Sequence, residues 1–300
     1  MPGARNWTGA RGSREFWPDG AKLVISISLQ FEAGAEPERP TGGPVPETNQ
    51  KYPDLPLAPW YEYGFKEGTP RLLNVFQRRR VRVTSHMRAA AVDRNPELAR
   101  EIVQRGHEAA AHGETRTPRY SVTPEQERTA CAANIQSIVR ATGTRPVGFH
   151  ASGLHTTPHT LEVLQDLGFL YYVDDVGRDE PFLASVRSKA FLVMPSTSGM
   201  NNLAAYPAPL FTSEQYASEL RNEFEMLYTE AESRRRMMSI SAHDRIAGRP
   251  AHAKVLEEFI IYAQRRPGVV FSRKDDIARF ALASSITPRE EEFTPGSEAA

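Results

Sequence analysis

Cysteine occurs once in the 300 residues, at Cys131. No internal disulfide can therefore staple the chain, and no cysteine-rich zinc site can form; Cys131 falls in a helical pattern and reads as a small core residue. Neither sign of charge is in excess, since Lys plus Arg and Asp plus Glu each number 37. That balance argues against a mainly electrostatic grip on nucleic acid or an anionic membrane. A small basic cluster, Arg78, Arg79 and Arg80, reads as a solvated helix end. Long apolar runs are also missing. LVISISL at 23–29 is strand-sized, far short of the roughly twenty residues that span a bilayer, and the N-terminal stretch has no apolar core of a signal peptide. The expectation is a cytoplasmic protein with neither nucleic acid nor membrane as partner. No Gly-rich phosphate loop follows the first strand and no G-x-S-x-G elbow occurs, which lowers the case for phosphoryl transfer, dinucleotide chemistry and serine hydrolysis.

What is present is an ordinary globular composition, 40% apolar and 25% charged, with short β-rich runs alternating with helical patterns. Strands are predicted at 23–29, 81–86, 107–112, 145–150, 169–173, 190–195, 237–243 and in GVVFS near 270. Between them lie helices at 70–79, at 95–106 with Asn95 as N-cap, at 123–143 with Thr123 as N-cap, at 157–168, at 213–236, from Pro250, and over RKDDIARFALA. The repeating pattern predicts a parallel sheet, open or closed into a barrel. No composition break marks a second domain, so a single domain is expected over 17–286. The polar stretch 287–300 reads as a disordered tail. Residues 33–69 form a long Pro/Gly-rich insertion with Tyr52, Trp60, Tyr61, Tyr63 and Phe65. Such a loop serves as a lid or substrate wall, an oligomer contact or plain packing.

The chemistry is expected where the predicted strands end, since function collects at the C-terminal ends of parallel strands. Gln30 and Glu32 follow the first strand, His86 the second, His112 the third and His150 the fourth; Asp174 and Asp175 follow the fifth, and His243 closes the strand at 237–243. His and carboxylate can move protons near neutral pH or hold Zn²⁺ to activate water.

Several blocks, in order, resemble the polysaccharide deacetylase (NodB-homology) superfamily: LVISISLQFEAGAE at 23–36, RNPELAREIVQRGHEAAAHG at 94–113, TGTRPVGFHASGLHTTPHTLEVLQDLGFLYYVDD at 142–175, DEPF at 179–182 and the segment 241–280 that opens SAHDRIAGRP. The chain looks most like the allantoinase-like (PuuE-type) and peptidoglycan-deacetylase-like branch. The resemblance implies an α/β fold, a distorted (β/α) barrel of about seven parallel strands. It also implies a homo-oligomer, and hydrolysis of a carbon–nitrogen bond other than a peptide bond.

Matched position by position, the sequence departs from the metal-dependent pattern. The first acidic residue of that pattern is replaced by Gln30 and the second is Glu32. The first His of H-x-x-x-H is His112, but the second position holds Arg116. Three histidines, His150, His155 and His159, stand in a stretch where allantoinase-like relatives tend to carry an arginine. His243 matches the general-acid position, and Asp179 matches a D-x-P block that would orient His243 or Arg249. The resulting expectation is hydrolysis of a small amide, ureide or cyclic imide, with no metal or weak metal dependence. Glu32 would activate water or orient the substrate, His243 would protonate the leaving nitrogen, and His112 would hold the oxyanion. Gln30, Arg249, His150 and Trp60 would contact substrate. Two alternatives stand beside it. One is a deacetylase of an N-acetylated sugar using a single divalent metal such as Zn on Glu32, His86 and His112; the other is an inactive ligand-binding barrel.

Overall fold

The computed structural model describes residues 16–32, 57–113, 122–154, 156–197 and 212–290. Its centre is β1 (Leu23–Phe31), buried along its whole length. Strict alternation sorts its side chains between two faces. Leu23, Ile25, Ile27, Leu29 and Phe31 join the core between sheet and helices. The other parity, Val24, Ser26, Ser28 and Gln30, faces the concave interior, and Val24 belongs there to a second apolar cluster with Tyr171, Leu192 and Met237.

Among the described residues nine strands form one sheet in the order β6-β7-β5-β4-β3-β2-β1-β8, with β9 also on β1. The strands are β2 (Thr84–Met87), β3 (Glu108–His112), β4 (Gly148–His150), β5 (Tyr171–Tyr172), β6 (Phe182–Val186), β7 (Lys189–Val193), β8 (Arg236–His243) and β9 (Val269–Phe271). Each of these pairings is parallel except the β6–β7 hairpin. The sheet curls strongly into a half-barrel of the expected NodB type, with nine strands where about seven were expected. The hairpin partner β6 escapes the sequence pattern because its antiparallel pairing follows a tight Arg187–Ser188 turn, with both residues at positive φ, and no helix separates it from β7. One edge of β1 is shared. Ser28–Phe31 pair with β2, while Leu23–Ile25 pair with β9.

Helices cover the convex face and plug the base. They are α1 (Leu57–Tyr63), α2 (Thr69–Arg79), α3 (Ala89–Arg94), α4 (Pro96–Gln104), α5 (Pro124–Thr142), α6 (Thr160–Asp166), α7 (Ser213–Glu230), α8 (Asp244–Ala247), α9 (Pro250–Gln264) and α10 (Lys274–Ala283). Thr123 caps α5 in a full capping box with Gln126. Asn95 stands at the N-cap of α4 as expected, but without a side-chain capping bond; its side chain donates back to the Ala91 carbonyl in α3. Ile277, Ala278 and Ala281 of α10 close the base of the barrel with Trp17, whose indole N–H donates to the Arg236 carbonyl at 3.0 Å. Cys131 is buried on α5, and Arg78 and Arg79 end α2 against Glu257.

Two sequence expectations shift. Residues 57–68, read as loop, form α1 and a π-helical turn over Gly64–Gly68; residues 33–56 lie outside the described set. That turn rests on α8 so closely that a Cβ on Gly68 would stand 2.1 Å from the Asp244 carbonyl oxygen, and one on Gly248 2.2 Å from the Gly68 Cα. Residues 287–290, assigned to a disordered tail, instead run beside β6. The Leu183 N–H donates to the Pro288 carbonyl at 2.8 Å, and the Glu290 N–H to that of Leu183 at 2.9 Å.

Candidate active site

The inward parity of the central strands continues past their ends, and this builds the site. Gln30 is in register with His86 on β2 and with His243 on β8. Two residues further along stand Glu32 and Arg88, and Arg245, in the turn of α8 that begins directly after His243, joins them. His112 pairs with His150 across β3 and β4, and Ser152 follows His150 by the same two-residue step.

Glu32 is the hub, with 3% of its surface exposed. Its Oε2 accepts from Arg245 Nη1 at 2.6 Å, and its Oε1 lies 3.0 Å from Arg88 Nη2. Both guanidiniums are themselves fixed. Arg88 also donates to Ser152 Oγ at 2.8 Å, and Arg245 lies under the Tyr61 ring at 4.5 Å. The Glu32 backbone N–H donates to Asp244 Oδ2 at 3.0 Å, which ties the end of β1 to α8. Burial alone would raise the carboxyl's pKa. Arg88 and Arg245, helped by His243 and His112, outweigh it and hold Glu32 well below the usual carboxylate range. Glu32 is thus a fixed anion and a weak base.

Two imidazoles flank it. His112 Nε2 lies 3.5 Å from Oε1 and His243 Nε2 3.8 Å from Oε2. The His112 Nδ1–H donates to the Gly113 carbonyl at 2.8 Å. A neutral ring in that tautomer turns the Nε2 lone pair toward Glu32. Burial, with Arg88 and His150, keeps the His112 pKa well below the usual imidazole range despite Glu32. Burial likewise takes His243 down to about 3 against the pull of Glu32. Both rings are neutral at pH 7. His150 packs edge-on against His112, with ring centres 4.7 Å apart, and its Nε2 lies 3.3 Å from Asp174 Oδ1.

The remaining expected residues are placed as follows. Gln30 points into the barrel below Glu32 and bonds Ser241 Oγ at 2.9 Å. Arg249 lies between the rings of Tyr63 and Trp60, 3.6 and 5.2 Å from their centres, and its Nε donates to the Arg245 carbonyl at 3.2 Å; α1 thus meets the site through Trp60, Tyr61 and Tyr63. Asp179 does not belong to this group. It is exposed, and its carbonyl accepts from the Met237 N–H at 2.8 Å, at the start of β8 and the opposite end from His243. Asp174 is the carboxylate that meets a site histidine. His159 is exposed at the start of α6; His155 and Arg116 lie outside the described residues.

The set Glu32, His86 and His112 does not fit a divalent metal. Both Glu32 oxygens are already bonded by guanidiniums, and these two fixed cations oppose a third. His86 packs against His150 in a tilted contact, 5.3 Å between ring centres, rather than beside Glu32. Among the described residues no group of three His, Cys, Asp or Glu could hold a metal ion.

Arg88 and Arg245 are site residues that the motifs do not single out. Their signal in the sequence is a repeated His-X-Arg, at His86-Met87-Arg88 and at His243-Asp244-Arg245. Arg88 follows His86 in extended backbone, so the two-residue period of the strand puts it on the same face; Arg245 instead lies in the single turn of α8 that begins directly after His243.

Comparison with known proteins agrees with this architecture. Residues 52–172 match the polysaccharide deacetylase family profile. A crystal structure from Pseudomonas aeruginosa PAO1, described as a probable polysaccharide deacetylase, is 33% identical, with a TM-score of 0.83 over 94% of this chain and 98% of that one. The crystal structure of PuuE allantoinase is 28% identical, also with a TM-score of 0.83, over 95% of this chain and 99% of that one. A Schizosaccharomyces pombe protein assigned to polysaccharide deacetylases is 26% identical across 88% of this chain and 91% of its own length. The chain belongs to the polysaccharide deacetylase family and is a hydrolase of carbon–nitrogen bonds.

Proposed function

We propose that this hydrolase opens a small amide, ureide or cyclic imide, using neutral imidazoles around a guanidinium-held carboxylate. The observation that carries the reading is Glu32, bonded at both oxygens by Arg88 and Arg245 and set between Nε2 of His112 and Nε2 of His243. The likeness to PuuE allantoinase over nearly the whole chain supports the substrate class.

In this reading His112 Nε2 takes the proton of the attacking water, because its lone pair faces Glu32. The anion stabilises the imidazolium that forms. The proton taken by His112 passes by way of Glu32 to His243, on the other oxygen of the same carboxylate, and the His243 imidazolium so formed delivers it to the leaving nitrogen and returns to the neutral ring. Arg88 and Arg245 keep Glu32 ionised and place positive charge beside the tetrahedral oxyanion. This revises the roles expected for Glu32, which is too weak a base to activate water, and for His112.

The test is turnover of a panel of cyclic imides, ureides and N-acetylated sugars by chelator-treated protein. Ring-opening that survives chelation is expected, with His112→Ala and His243→Ala each lowering kcat by about a hundredfold or more. Turnover of N-acetylated sugars alone, restored by Zn²⁺, would overturn the reading. So would binding of these compounds without turnover.

A further inference from the structure

Below Glu32 the barrel holds a second polar layer for which the proposed chemistry has no use. His86 is fully buried, and neither ring nitrogen has a hydrogen-bond partner among the described residues. Gln30, in register with it on β1, uses its Nε2 on Ser241 and leaves its buried Oε1 unmatched among them. On the other side the buried His150 Nδ1 is likewise unmatched. The rings of His86 and His150 approach to 5.3 Å between centres because the strand between them carries only Ala110 at the level of His86.

Buried polar atoms in native proteins are bonded, to protein or to internal water. Complementarity selects the occupant. The Asp174 carboxylate, 3.3 Å from His150 Nε2, favours the tautomer that carries its proton there, and Nδ1 is then an acceptor. Gln30 Oε1 is a second acceptor, and a neutral His86 supplies one N–H donor. The other nitrogen of His86 is a third acceptor. A small group that accepts from the His86 N–H and donates to Gln30 Oε1 and His150 Nδ1 is water.

We infer that Gln30, His86 and His150 enclose a bound water beneath the catalytic carboxylate, and that through it His86 and Gln30 position His150 and its edge-on contact with His112. His86 and Gln30 are then positioning residues. The inference concerns the same site as the proposed hydrolysis, and its first test needs no turnover.

In the full chain labelled with ¹⁵N-histidine, imidazole shifts should show His150 as the Nε2–H tautomer. A crystal structure should show one water within hydrogen-bond reach of Gln30 Oε1, His86 and His150 Nδ1. His86→Phe keeps the ring's bulk and removes both nitrogens; it should lose the water and mix the tautomers of His150. Gln30→Met, which removes the acceptor together with the amide N–H that donates to Ser241 but leaves His86 in place, should give the same tautomer mixing and covers the case in which His86→Phe fails to fold. With a substrate in hand, His86→Phe should lower kcat on the order of tenfold at unchanged KM, with partial rescue by His86→Gln. A dry layer with a direct His86–His150 bond, an Nδ1–H tautomer in the parent protein, or an unchanged His150 in both variants would overturn the inference. A water and tautomer as described in a protein that turns over no amide would sink the hydrolysis reading and leave this one standing.

Discussion

Two of the buried carboxylates, Glu32 and Glu108, end in opposite states. Glu32, at the rim, is met by two guanidiniums and held well below its ordinary pKa. Glu108, one layer from the base, is met by neutral donors. Thr84 Oγ1 donates at 2.7 Å, Tyr171 OH at 2.9 Å and the Asp275 N–H at 2.9 Å. Burial, then the charge of Asp275, raise its pKa to about 7 in spite of those bonds. Equal burial thus yields a permanent anion in one place and a group poised near neutrality in the other. The partners decide, because a full positive charge offsets desolvation and a hydrogen bond does so only in part. Lys274, buried beside this lower layer with its ammonium on Ser239 at 2.8 Å, is brought down to about 7 by burial although Glu108 pulls the other way.

The contrast can be broken from either side. Arg245→Gln should have the largest effect. Removing one partner of a buried ion pair leaves charge uncompensated and costs about 3–5 kcal/mol, so chemical denaturation should show a strongly reduced midpoint and the residual folded protein a higher Glu32 pKa. Next is Gly148→Ala. A Cβ there would stand 1.9 Å from Tyr171 Cζ, so the ring that donates to Glu108 must move; a loss of about 1–3 kcal/mol is expected from such overpacking, read as a lower Tm. Glu108→Gln sharpens the comparison through pH. A carboxyl whose folded pKa lies above its unfolded value favours the folded state below about pH 4.5, and that contribution is lost as pH rises to about 7. The parent protein should therefore lose Tm between pH 5 and pH 7 by more than the variant does; parallel Tm–pH curves would contradict the raised pKa. The smallest effect is expected from Asp179→Asn. Its exposed side chain lies at the far end of β8 from His243 and its backbone bond survives, so stability should hold within about 0.5 kcal/mol and kcat should be unchanged.

Much of this is legible in the amino-acid sequence alone. Alternation along β1, histidines closing β2, β3, β4 and β8, and the cap of α5 all follow from local pattern. The clamp is harder to read, because arginine after a strand looks like surface. Arg88 becomes visible when strand parity is carried two residues past His86, whereas Arg245 is brought in by the turn of α8 directly after β8, which strand parity does not foresee. Asp179 fails for the opposite reason: a motif match says nothing about which end of a sheet a residue occupies. The hairpin of β6 and β7 is hidden by the expectation that every strand is followed by a helix. The partners of His86 lie on β1 and β4, and curvature of the sheet, which no local pattern encodes, sets their distance.

The divided edge of β1 has a consequence for how the chain is made. Leu23–Gln30 pair with Arg236–His243, and Leu23–Ile25 also with Val269–Phe271. The strand that leads to Glu32 is thus synthesised well before its β8 neighbour and can be completed only after more than two hundred further residues have followed it. Contacts of such sequence separation slow folding and leave partly paired strands exposed meanwhile. Until β8 and the arginine behind it arrive, Glu32 has no Arg245 to face, and the barrel's assembly and its charge balance are finished by the same late segment.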